Sequence, residues 1–206
     1  MSTLGLDGVP QREDNILQRI FWPSNHAGEA DSLGQQGYWV CLFVGLISAG
    51  ISMFSGHPLI GLLILAFYWL GGVGVREHSV AAAIIVVLGY ISALTFAIAT
   101  HHFPGFLDIA ITVILLGNIR GTYIASSWKA KGDPEAFPDR MNVTFFDWLV
   151  DQLPAKLWPK GRYVFFSVSL IYGILLALGT VAVMRATLHQ AQRQEDLQLQ
   201  LPASNQ

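Results

Sequence analysis

Five apolar runs constrain this chain more than any other feature: Tyr38 to Phe54, Leu59 to Val75, Val80 to Ala99, Phe106 to Trp128 and Tyr163 to Met184. Each is about 17 to 23 residues long, close to the roughly 20 that a helix needs to cross about 30 Å of hydrocarbon. Inside a bilayer every backbone N–H and C=O must be satisfied within its own segment, so each run is expected to be a helix. The connections Ser55-Gly56-His57-Pro58 and Arg76-Glu77-His78-Ser79 are too short for anything but hairpins between antiparallel helices. Composition agrees, since 52% of the 206 residues are apolar and 13% charged, against about 25% charged in soluble domains. Mean hydropathy is +0.46.

The expected fold class is therefore an all-α integral membrane protein: a bundle of five transmembrane helices plus two interfacial amphipathic helices. The first interfacial helix is read in DNILQRIFWP, where Asp14 caps a turn and Ile16, Leu17, Ile20 and Phe21 share one side. The second is read in NVTFFDWLVDQLPAKLWPKGR, where Phe145, Phe146, Leu149, Val150 and Leu153 share a face and Asp147 and Asp151 lie on another. The expected division is a polar segment at 1–36, with a loop after Pro23, and four spans in 37–128. A loop with its amphipathic helix occupies 129–162, the fifth span 163–184, and a tail at 185–206 begins helical and ends disordered. Residues 1–36 carry no apolar core of signal-peptide type, so the first run is expected to stay in the mature protein.

Polar residues within the spans are the candidate functional positions, because each is costly in hydrocarbon without a partner or a route to water. Asn118, Thr122 and Arg120 lie in the fourth run. Arg120 either snorkels to the headgroups or pairs inside the bundle; Glu77 is the expected partner, with Asp147 and Asp151 the other acids within reach. Gly117 and Gly121 form a Gly-x-x-x-Gly pair, and Gly89 and Ala93 lie four apart in the third run; both pairs suit close helix packing. The glycines at 71, 72 and 74 permit a bend or a tight contact.

Lys and Arg set the orientation, because cytoplasmic flanks carry their excess. With the amino end inside, nine of the twelve lie on that side: Arg12, Arg19, Arg76, Lys129, Lys131, Arg140, Lys156, Lys160 and Arg162. Only Arg185 and Arg193 lie opposite, and Arg120 lies within a span. The expected location is a bacterial cytoplasmic membrane, amino end in and carboxyl end out.

A net charge of −2 leaves no basic footprint for nucleic acid. The single cysteine, Cys41, excludes an intrachain disulfide and a cysteine-built zinc site. His57, His101, His102 and Asp108 gather at the outer turns and are weak metal-ligand candidates. No histidine lies within a span to clamp a haem, and hydrolase motifs are absent from the sequence. The expectation is a non-enzymatic membrane protein without cofactor, acting as scaffold, assembly factor or accessory subunit. Its expected partners are the bilayer and other membrane proteins or a second copy. The alternatives are a small transporter or channel-like protein using Asn118 and Arg120, and a metal or redox subunit using the outer histidines.

Overall fold

The structure is a computed structural model and describes residues 27–100, 103–131 and 144–200. The described residues are helical, with no strand among them. Four helices come first: α1 (Ala27–Phe54), α2 (Pro58–Arg76), α3 (Val80–Ala99) and α4 (Phe106–Lys131). A capped turn α5 (Phe145–Asp147) then runs through a π-helical stretch (Trp148–Gln152) into the long α6 (Leu153–Gln200). Among the described residues five helices are long and apolar enough to cross a membrane: α1 from Asp31, α2, α3, α4, and the continuous helix Phe145–Gln194.

Helix α2 is the central element and packs against α1, α3, α4 and α6. Around it, α1 neighbours α4, α4 neighbours α3, and α3 neighbours α6. The reason lies in the glycines at its carboxyl end. A methyl group on Gly71 would fall 2.4 Å from Val86 of α3 and 3.2 Å from Phe165 of α6. On Gly72 it would fall 3.0 Å from Cys41 of α1, and on Gly74 2.4 Å from Trp158 of α6 and 2.5 Å from Ala82 of α3. Of the two possibilities in the sequence, bend or tight contact, the glycines provide contact, on three sides at once. The other half of α2 supplies aromatic bulk: Phe67 stacks on Phe165 at 5.9 Å and leans on Tyr172 at 4.6 Å. Such pairs contribute about 0.5–1.5 kcal/mol beyond the area they bury.

The turns follow local chemistry. Gly56, with φ of 86°, closes the α1–α2 turn in a backbone region open to glycine. Pro58 then opens α2 where its missing N–H is no loss. Thr144 and Asp147 cap α5 reciprocally: the Thr144 hydroxyl accepts from the Asp147 amide at 3.1 Å, and the Asp147 carboxylate from the Thr144 amide at 2.9 Å.

Three expectations are corrected. The stretch before Tyr38, expected to be loop for its Ser, Gly, Asn and Asp, is helical from Ala27 onward. The amphipathic segment is not a separate rod: the wide π-helical turn carries it into α6, with Pro154 in the first turn and Pro159 inside the helix. The helix after Met184 continues to Gln200. The expected interfacial helix at residues 14–23 lies outside the described residues, as do His101 and His102.

Candidate functional site

The carboxyl end of α2 holds a buried ionic cluster. Arg76 is 3% exposed, and its guanidinium donates to Asp31 of α1 at 2.5 Å and to Asp151 of the π-helical turn at 2.6 Å. The cluster thus ties together residues 45 and 75 positions apart in the chain. Local structure aims each member. The glycine-rich end of α2 lets α1 and α6 close around Arg76, and the π-helical turn buries Val150 and Asp151 together. Extra residues of this kind are a common way to re-aim a side chain in a helix.

His78 is the fourth member. It sits at φ of 59°, the left-handed conformation that glycine usually takes after a helix end and that histidine tolerates better than most residues. That conformation places its Nε2 3.3 Å from Asp31 Oδ1. Ser79 then caps α3, its hydroxyl accepting from the Ala82 amide at 3.4 Å. Chemically the cluster is a lock: in a medium of low dielectric a guanidinium held by two carboxylates resists the loss of either.

One turn deeper, α1 meets α4. Asn118 is buried beside Gly37, where a methyl group would lie 2.8 Å from its amide nitrogen, and neither amide atom meets a protein hydrogen-bond partner. Thr122 is equally buried, and its hydroxyl also lacks a protein partner. Gly121 packs on Leu33, where a methyl group would approach to 2.8 Å. Gly89 receives the Phe67 ring at 2.5 Å from the same kind of probe atom, so α2 and α3 touch there. Gly117 and Ala93 are half-buried, and so are Arg120 and Glu77, each of which is engaged with other groups.

At the other end of α2 a cavity of about 640 Å³ opens among α1, α2, α3, α4 and α6. Tyr68, Tyr90, Phe96 and Tyr172 line it, with His57 and Asp108 among its polar groups and Ala93 on its wall. Tyr90 donates to Asp108 Oδ1 at 3.2 Å, and the Gly105 amide donates to Oδ2 at 2.8 Å. Asp108 therefore caps the amino end of α4, where a negative charge is favoured.

Known families, curated proteins and solved structures offer no match to the chain. The site must be judged on its own geometry. Of the expected metal candidates, His57 and Asp108 meet at one cavity, and no group of three or more His, Cys, Asp or Glu suited to a metal occurs among the described residues. By sequence alone Arg76 falls in a turn, Asp31 in a loop, and Asp151 within reach of Arg120. The missed signal was Arg76 itself: directly behind Gly71, Gly72 and Gly74, it sits where neighbouring helices come too close for a cation to remain solvated.

Proposed function

We infer that the chain is a non-enzymatic, multi-pass component of a bacterial cytoplasmic membrane, amino end inside, acting through contacts as a scaffold, assembly or accessory subunit. The observation carrying this reading is the closed seam at Asn118, where Gly37, Gly121 and Leu33 fill the space a solute would need. Transport past Asn118 and Arg120 requires a path that this packing occupies. The ionic cluster supports the same reading, because it fixes the segment after residue 144 to the bundle and leaves Phe145, Phe146, Lys156 and Lys160 outward.

An ion pair between Glu77 and Arg120 belongs to this proposal. Both lie toward the side that carries the lysines and arginines, and a cation at membrane depth is stabilised by an acid. Exchange of the two charges in the double variant Glu77→Arg/Arg120→Glu is expected to restore stability that each single reversal loses; equal loss in all three variants would remove the pair.

The test of function is purification from native membranes in mild detergent, beside reconstitution into liposomes. A stoichiometric partner is expected to accompany the wild type and to leave the double variant Lys156→Glu/Lys160→Glu. A protein that purifies alone, and that dissipates an ion or solute gradient in a manner abolished by Asn118→Leu, would reverse the conclusion in favour of transport.

A further inference from the structure

The cavity at the α1–α2 turn has a composition that selects a ligand class. Its volume of about 640 Å³ lies within the roughly 300–1,000 Å³ usual for small-molecule sites. Its walls are aliphatic and aromatic, with Tyr68, Tyr90, Phe96 and Tyr172 contributed by three helices. Among the lining residues Asp108 is the one acid, His57 is the one histidine, and neither Lys nor Arg is present. Each Asp108 oxygen takes one of the two hydrogen bonds described above, from Tyr90 and Gly105, which leaves lone pairs on both oxygens.

We propose that this cavity is a binding site for a lipophilic organic cation, an alkyl- or aryl-substituted ammonium or phosphonium. Three features act together. The apolar walls take the hydrocarbon part, aromatic faces attract a positive charge, and the Asp108 carboxylate provides a counter-charge with no Lys or Arg among the described lining residues. Anionic amphiphiles are disfavoured by the same carboxylate, and a neutral apolar occupant makes no use of it. The site is separate from the Arg76 cluster, which lies at the far end of α2.

The probe is tetraphenylphosphonium, and the control is tetraphenylborate, which has the same shape and the opposite charge. Binding is measured by equilibrium dialysis on the full chain in a neutral maltoside detergent, with empty micelles subtracted. The wild type is expected to bind one phosphonium saturably, without competition from the borate. Asp108→Asn keeps the acceptor for the Gly105 amide, removes the charge, and is expected to weaken binding by roughly tenfold or more. Ala93→Trp fills the cavity with the carboxylate in place and is expected to abolish binding; melting in detergent shows whether each variant is folded. Equal uptake of both ions, undiminished binding by folded Asp108→Asn, or non-saturable uptake would each overturn the proposal. So would a co-purifying lipid, seen by native mass spectrometry, that the phosphonium does not displace.

Discussion

Arg76 shows how one side chain decides where three segments meet. Isolated, a guanidinium at 3% exposure costs far more than a helix end can offset; between Asp31 and Asp151 it is stabilised by two short charge-assisted bonds. Removing a single partner leaves the rest buried and uncompensated, which costs about 3–5 kcal/mol. Asp151→Asn and Arg76→Leu are each expected to lose stability of that order in denaturant titrations of the detergent-solubilised protein. The double variant is expected to lose less than the sum, because the two residues share one interaction. Asn118 presents the reverse case: its buried amide has no protein partner, so the cost of desolvation stands without return. Asn118→Leu is expected to raise stability by about 1–2 kcal/mol in the same titration, and a loss would assign the amide a structural partner. At this scale the sequence was least legible. Arg120 interrupts an apolar run, whereas Arg76 stands beside Glu77 in what reads as an ordinary turn; its partners lie 45 and 75 residues away, beyond any local pattern.

At the scale of elements, the balance between helix propensity and packing is set by the end of α2. Glycine within a helix costs about 1 kcal/mol relative to alanine, so an isolated helix would gain from Gly74→Ala. Here the added methyl would meet Trp158 at 2.4 Å and Ala82 at 2.5 Å, and overpacking of that kind costs about 1–3 kcal/mol. Gly74→Ala is therefore expected to destabilise, whereas the same change at Gly173, with nothing within 4 Å of the added atom, is expected to stabilise. Melting of the two variants side by side separates the effects, and stabilisation at both sites would mean that α2 is not gripped as described. The five apolar runs were legible because hydrocarbon selects length and hydropathy, two properties a sequence displays directly. Helix ends were less so. Residues 31–37 look like loop by composition, yet become helix where Asp31 is held by Arg76 and Gly34 and Gly37 fit against His78 and Val75. Pro154 and Pro159 likewise suggest a break, yet the helix runs on through both, with the π-helical turn directly before Leu153 and Pro154.

For the whole molecule, the exposed apolar surface and the two polar ends form one arrangement. Helix α6 spans about 72 Å at 1.5 Å per residue, more than twice the thickness of the hydrocarbon; it buries Phe165 and Tyr172 and exposes Leu170, Ile174 and Leu178. Near the ends of the apolar runs, Lys131 lies over the Trp128 ring at 5.2 Å and Arg162 over the Tyr163 ring at 4.8 Å, pairings of the kind that settle at headgroup level. The Arg76 cluster and these pairs share one end of the bundle, while His57, Asp108 and the cavity share the other. The five span-length apolar helices were legible from hydropathy, but the cavity was not, because its walls come from five helices whose adjacency no single run encodes. The account depends most on that two-sided arrangement. Cysteine labelling in intact cells tests it directly, with buried Cys41 replaced by alanine and one new cysteine introduced at residue 57, 131 or 189. A membrane-impermeant maleimide is expected to label His57→Cys and His189→Cys from outside, and Lys131→Cys only after the membrane is opened; labelling of residues 131 and 189 from the same side would contradict the five-span bundle.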